Sequence, residues 1–442
     1  MGGVYVHIPF CVRKCAYCDF VSYPAPDIES LAPAYLDAVL GELRLRHDEL
    51  CCIAPIDTVY IGGGTPTCVP ARLLGAFLEE LLQTVRAASG ATHTVGPADG
   101  IEVTVEANPG TVDRAGLAAL RAAGANRLSL GFQSLADKEL AALGRIHSAG
   151  DCLRAYGDAR AAGFGNISAD LILGAPGQTR ASLRSTADAV IDLGPEHVSA
   201  YCLSLEPGTP LADAARAGAV SVPDDDDAAD LYDLFVARMA ASGYARYEVS
   251  NFARAGFESR HNMGYWRNGE YIGLGAAAHS HVRVRSGARV PTKAPASAPA
   301  QTPLDFATSV PAPGGGIRSW NTSRLREYID AVRRGDLPVA GRETRTAHEE
   351  ARDALMVGLR MSVGVDLGAL SQEYGVDLTG EFAERFQRLA SRGLVEIVDS
   401  GPDQGPGSAP DLCSGPASCS GPRIRVAPGA FLLANRVFVE CV

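Results

Sequence analysis

Cys11, Cys15 and Cys18 lie in the run YVHIPFCVRKCAYCDF, which spans residues 5–20, and their spacing constrains the chain more than any other feature. Three thiolates this close in sequence can wrap one face of a cubane and ligate three of its irons, leaving the fourth without a protein ligand. An open iron accepts a small chelating ligand, so the arrangement is a reactive one. Structural zinc asks for four closed ligands, typically as two C-x2-C pairs, and no second pair stands out here. Three unrelated buried thiols are the alternative, disfavoured because cysteine is otherwise scattered. The apolar run Val4–Ile8 reads as a strand leading into the loop.

Apolar runs at 4–8, 57–61, 101–105, 127–132, 167–173 and 197–203 each read as a buried parallel strand. Ala/Leu-rich helical stretches lie between them, at 31–50, 70–89, 113–123, 136–143, 149–162 and 180–193. Alternating strands and helices imply a parallel sheet with right-handed crossovers. In such a fold the active site lies at the C-terminal strand ends, where the chain's candidate motifs fall. Gly62-Gly63-Gly64-Thr65-Pro66 follows the second strand, Glu106 the third and Gln133 the fourth; Arg145 comes on the next helix and Asp170 lies inside the fifth. Glycines let the backbone approach a ligand closely. An aspartate in a buried strand asks for a partner or a ligand.

The run HIPFC followed by C-x2-C-D-F resembles the radical S-adenosylmethionine (SAM) superfamily, in the branch that holds coproporphyrinogen dehydrogenases (HemN) and the HemW haem chaperones. The resemblance covers nearly the whole chain apart from two low-complexity insertions. The dehydrogenase motif continues C-x-C after the third cysteine; here that position is Phe20, as in the HemW group. The implied fold is an α/β, open partial (β/α)6 barrel at 1–210, extended through 211–284. A connector at 318–344 and a winged-helix-like α+β domain at 345–442 follow. The implied cofactors are a [4Fe-4S] cluster on Cys11, Cys15 and Cys18 and SAM on its open iron, cleaved there by one electron. The same resemblance implies that Gly63, Gly64 and Thr65 contact the SAM methionine moiety. It places Glu106, Gln133, Arg145 and Asp170 around SAM, with Tyr5 packed on it and Phe20 beside the cluster. Phe20 in place of the extra cysteine disfavours porphyrinogen decarboxylation and favours haem delivery to acceptor proteins.

The run His261-Asn262-Met263-Gly264-Tyr265-Trp266 supplies an imidazole and aromatic rings, which suit a flat haem macrocycle. HemW-like proteins carry this H-N-x-x-Y-W pattern, so His261, Tyr265 and Trp266 are haem candidates. His279 is another; with His281 it would share one strand face, and its plainer reading is a strand terminus near the cofactor site.

Residues 285–317 and 399–422 are rich in Pro, Gly, Ala and Ser and read as disordered insertions; Cys413 and Cys419 in the second are a weak metal signal. Helical patterns at 347–361, 366–373 and 379–392, then LVEIV and IRVAPGAFLLANRVF, suggest three helices and an interrupted β-hairpin. Asp377, Glu381 and Glu384 accompany Arg385 and Arg388 on the third helix, so no basic recognition face appears and a lid or protein-docking role fits better. A net charge of −11 argues against nucleic-acid binding. An odd count of 11 cysteines, no stretch of ~18 apolar residues and no signal-peptide pattern before the first strand point to the cytoplasm.

Overall fold

The computed structural model describes residues 2–24, 27–53, 55–88, 100–284, 314–398 and 421–441. Most of both expected insertions, with Cys413 and Cys419, lies outside the described residues. The end of the first insertion does not: Gly316 and Ile317 open a strand.

Among the described residues twelve strands form one sheet. The first six are β1 (Gly2–Ile8), β2 (Ile56–Gly63), β3 (Glu102–Ala107), β4 (Arg127–Gln133), β5 (Ile167–Leu173) and β6 (His197–Cys202). They pair in parallel in that order, as the sequence pattern predicts. Helices α1 (Ile28–Leu45), α2 (Ala71–Ala88), α3 (Arg114–Ala122), α4 (Ala149–Ala161) and α5 (Arg180–Leu193) run between them. Beyond β6 lie β7 (Ala245–Arg246) and β8 (Asn251–Ala253). The other edge differs from the expected six strands. β9 (Glu270–Leu274) pairs in parallel with β1, adding a seventh parallel strand. β10 (His279–Arg283), β11 (Gly316–Asn321) and β12 (Val339–Arg345) then continue the sheet antiparallel.

The strands are not apolar on both faces. Val59, Ile61, Val103, Val105, Leu128, Leu130, Ala169, Leu171 and Val198 point outward into the main core beneath the helices. The alternate residues, among them Thr58, Thr104, Ser129, Ser168 and His197, are buried on the inner face. A polar lumen costs stability unless its groups are bonded, and it gives the barrel an interior able to hold a polar ligand.

A second core, separate from the first, holds Leu355, Phe382, Phe386, Ile424 and Phe431. It forms between α6 (Ala347–Gly358), α7 (Leu367–Tyr374), α8 (Leu378–Ser391) and a three-stranded sheet of Val365–Asp366, Arg423–Val426 and Val395–Val398. The hairpin is shorter than the sequence suggests. After Val426 the chain turns into short helical segments, and Phe431, Ala434, Val437, Phe438 and Cys441 are buried at helical rather than strand spacing. The two cores are tied by Glu350 on α6. Its carboxylate meets the His281 Nε2 at 3.0 Å and accepts from Asn268 at 2.7 Å, all three side chains being buried.

Candidate functional site

The cysteine loop leaves the end of β1 and folds back on itself, with Phe10 and Cys11 paired in parallel to Tyr23 and Pro24. Backbone bonds fix it from several sides: Tyr23 N–H donates to Pro9 at 2.6 Å, Ala16 N–H to Leu143 at 3.2 Å and Leu211 N–H to Ala16 at 2.9 Å. Cys11 is buried, Cys15 and Cys18 are half-buried, and none is in a disulfide. Burial raises the thiol pKa of Cys11 and Cys18; Cys11 also senses the charge of Cys15, and Cys18 that of Cys15 and Cys11. The Arg145 guanidinium donates to the Cys15 sulfur at 3.3 Å and to the Gly131 carbonyl at 3.1 Å. Three unbridged thiols beside a buried cation fit a cluster with one open iron.

The glycine turn after β2 clasps this loop. Gly64 N–H donates to Ile8 at 2.9 Å and Thr65 N–H to Phe10 at 2.7 Å. A Cβ on Gly64 would stand 2.6 Å from the Phe10 oxygen and 3.0 Å from the Cys11 sulfur, so no larger residue fits. Gly63 has φ +111°, and a Cβ there would meet the His7 ring at 2.6 Å. The missing side chain of this glycine makes room for the His7 ring. The His7 Nε2 donates to the Val21 carbonyl at 2.8 Å, which leaves Nδ1 to accept from the Tyr5 hydroxyl at 3.0 Å. Tyr5 stacks on Tyr60, centroids 6.2 Å apart.

Glu106 closes the site. It accepts from the Tyr60 hydroxyl at 2.7 Å and from Gly63 N–H at 3.1 Å. Burial, with the nearby Asp170 adding to it, raises its carboxyl to about 7 against the opposing hydrogen bonds. Asp170 accepts from Ser129 at 2.8 Å and from Ser168 at 2.7 Å. Gln133 holds φ +65°, a left-handed conformation that costs a non-glycine residue about 1 kcal/mol or more and clusters at functional sites. Sequence reasoning missed Asn108. Its amide donates to Thr65 at 2.6 Å and its oxygen accepts from Arg145, so it links the glycine turn to the cluster-side cation. The signal was its place before Pro109 in the loop after β3. Phe20 is 68% exposed beside the cysteine loop.

The haem candidates separate into two places. His261 begins the short helix Arg260–Trp266, whose first N–H groups are capped by Glu102 at 3.1 Å each. Its Nδ1 pairs with the Thr58 hydroxyl at 2.8 Å and its Nε2 with the Tyr265 hydroxyl at 2.9 Å. Burial, with Arg127 adding to it, lowers its pKa to about 3, so the ring is neutral. It stacks on Tyr60 from below, and the Gly3 backbone passes against it. Gly3 and Thr58 lie near the starts of β1 and β2, so His261 is at the barrel floor. The cysteine loop follows the other end of β1, roughly 17 Å along the strand. Trp266 faces the C-terminal domain, where the Arg360 guanidinium lies 5.1 Å from its ring. His279 is exposed at the mouth end of the extension, stacked against Trp320 at 6.0 Å and 27°.

Comparison with known proteins agrees with this architecture. The Radical SAM superfamily matches residues 5–190 and the HemN C-terminal domain residues 346–401. The heme chaperone HemW of Mycobacterium tuberculosis (strain CDC 1551 / Oshkosh) is 38% identical over 370 residues, covering 83% of this chain and 84% of that one. The heme chaperone HemW of Bacillus subtilis (strain 168) is 32% identical over 401 residues, 90% of this chain and 94% of that one. The chain belongs to the HemW family. Coproporphyrinogen III oxidase (HemN) from Escherichia coli, described as a radical SAM enzyme, superposes with a TM-score of 0.71 at 20% identity. That match covers 100% of this chain and 89% of that one, and it establishes the fold alone. Among the described residues no helix is long and apolar enough to cross a membrane.

Proposed function

We propose that this chain is a haem chaperone that holds a [4Fe-4S] cluster and SAM and delivers haem to acceptor proteins in the cytoplasm. The observation that carries this reading is the similarity to HemW relatives over 83–90% of the chain, joined to a three-thiol loop with Phe20 where the dehydrogenase branch has its extra cysteine. Cys11, Cys15 and Cys18 would hold the cluster. Glu106, the glycine turn, Gln133 and Asp170 would orient SAM at the barrel mouth, with Arg145 neutralising the thiolate side. When bound, cluster and SAM supply one-electron reductive chemistry in a water-poor site. The residues present serve binding first: the Glu106 carboxyl receives a cation, Tyr60 and Gly63 fix its orientation, and Thr65 with Asn108 holds the turn.

Anaerobic reconstitution followed by parallel assays tests the reading. Haem addition should give a Soret band and transfer to an apo-acceptor. Turnover of coproporphyrinogen III with SAM and reductant, without haem affinity, would overturn it and make the chain a dehydrogenase.

A further inference from the structure

β4 does not end as an ordinary strand. Between the register pairs Leu130–Ala169 and Gln133–Leu171 it carries one more residue than β5, a bulge of the kind that re-aims side chains beside active sites. Ser134 N–H donates back to the Phe132 carbonyl at 2.8 Å, with Gln133, at φ +65°, between them. That is a γ-turn of the rare, strained hand. It folds the Gln133 side chain back over Gly131. A Cβ on Gly131 would stand 2.6 Å from the Asn108 side-chain oxygen, 2.9 Å from the Gln133 amide nitrogen and 3.4 Å from the Arg145 guanidinium. A strained turn persists only where its surroundings hold it.

His147 reaches the same carbonyl. Its Nε2 donates to the Phe132 oxygen at 3.2 Å, and the Cys152 thiol lies 4.0 Å from that oxygen. A carbonyl only accepts, so Nε2 carries the ring proton. Burial, with Arg145 adding to it, lowers the pKa of the ring to about 4, which leaves it neutral. Among the described residues its buried Nδ1 has no hydrogen-bond partner. An apolar ring would fill the space without that orphaned nitrogen, so what histidine adds here is the one bond to Phe132. The ring is anchored from behind. It precedes α4, where Ser148 N–H donates to Asp151 at 2.8 Å and Ala149 N–H to Asp137 at 2.8 Å. On the far side of Gln133 the Ser134 hydroxyl donates to the buried Glu139 carboxylate at 2.6 Å. Gln133 is thus held between two fixed neighbours.

We propose that His147 is a positioning residue for SAM recognition: by holding the Phe132 carbonyl it keeps the Gln133 turn wound, and with it the Gln133 amide beside Asn108 and Arg145 at the barrel mouth. This deepens the reading of Gln133 as a SAM contact and rests on it. The ring acts on the backbone of β4, one residue before the side chain that it orients.

The test uses the cluster-loaded full-length chain. SAM affinity is read from equilibrium binding and from the SAM-induced change in the electron paramagnetic resonance spectrum of the reduced cluster. His147→Phe keeps the ring volume and removes the donor; it should weaken SAM by about tenfold with cluster iron unchanged. His147→Gln, whose amide nitrogen reaches the place of Nε2, should return affinity to within about threefold of wild type. Gln133→Gly removes both the amide and the strain, and should itself weaken SAM by about tenfold. In that background His147→Phe should cost no further SAM affinity, since no amide is left to orient. A role in packing alone predicts equal losses in both backgrounds and no rescue by glutamine, and that result would overturn the proposal. Thermal midpoints report the fold. A His147→Phe chain that unfolds alone but folds beside Gln133→Gly supports a held, strained turn, and loss of the fold in both overturns it. Wild-type SAM affinity in His147→Phe overturns the proposal and leaves the SAM reading intact. Wild-type affinity in Gln133→Gly overturns the role of Gln133 and the proposal with it. A wild-type chain that binds no SAM overturns the SAM reading itself.

Discussion

The proposed placement of Glu106 against the SAM ammonium predicts a pH dependence of binding with a determined sign. Its carboxyl is pushed up to about 7 from an ordinary 4.5, first by burial and then by Asp170. Near neutrality about half of the population is therefore protonated, and a bound ammonium requires the carboxylate. Binding a cation there should release a proton and tighten as pH rises through 7. At pH 6 about one-tenth is ionised, so affinity should be about tenfold weaker than above pH 8, a difference of about 1.4 kcal/mol. The ligand-free fold has the opposite slope. A carboxyl with a raised folded pKa stabilises when protonated, fully so below 4.5, and that contribution is lost as pH rises through about 7. The whole shift corresponds to about 3 kcal/mol; partial access to solvent reduces it to about 1–2 kcal/mol. Glu106→Gln keeps one acceptor for the two donors, Tyr60 and Gly63, so its overall affinity falls, but the slope is the informative quantity. Equilibrium binding of SAM to the cluster-loaded protein between pH 6 and 8 should rise in the wild type and stay flat in the variant. A flat wild-type profile, or an equal slope in Glu106→Gln, refutes the placement of Glu106 against the ammonium.

Replacing Cys11, Cys15 or Cys18 by serine should abolish the cluster, measured as iron and sulfide per chain, whereas Cys413→Ser should leave about four irons; a full cluster in the triple variant defeats the assignment. Gly64→Ala should lose cluster iron, because its methyl falls 3.0 Å from the Cys11 sulfur and 2.6 Å from the Phe10 oxygen, and normal iron content would show that the loop yields more easily than its contacts suggest. Glu350→Ala should destabilise the chain by about 3–5 kcal/mol, since it strips a buried partner from His281 and Asn268, and an unchanged thermal midpoint would count against this tie between the two cores. Burial raises the Glu350 carboxyl, but His281 outweighs it and holds the pKa below 4.5, so the stability from this group should be present above pH 4.5 and lost in acid.

Local pattern made the strand order and the mouth end of the barrel legible. The six strands β1–β6 stand out as short apolar runs between long Ala/Leu helices, and the cysteine loop and glycine turn are contiguous motifs whose chemistry needs no tertiary information. What escaped was long-range. β9 is a five-residue strand, EYIGL, whose place beside β1 depends on a pairing across almost the whole barrel. The inner-face polarity was hidden because the outer residues dominate each run; Thr58, Thr104, Ser129 and Ser168 become informative only once the strand period shows that they share a lumen. Gln133 looks like an ordinary strand end, and its left-handed backbone cannot be read from a side chain with no glycine-like signature.

The two haem candidates show the same limit acting on function. H-N-x-x-Y-W places an imidazole among aromatic rings, but a sequence does not say whether a loop returns to the floor or to the mouth of a barrel. Strand polarity decides it. His261 follows the β7–β8 hairpin and meets Gly3 and Thr58 at the strand starts, where Glu102 caps its helix and both ring nitrogens find hydroxyls. Its aromatic neighbours there complete the floor and reach toward the C-terminal domain through Trp266. His279 reads as an unremarkable strand terminus because its partner is 41 positions away, beyond an insertion, in the plain run Arg318–Asn321. Only the β10–β11 register brings Trp320 beside it, and only the reach of α6 decides that this row stays open while the His281 row is closed. A surface assembled by register and by partial coverage leaves no local trace in the chain, whereas a loop that carries three nearby thiols does.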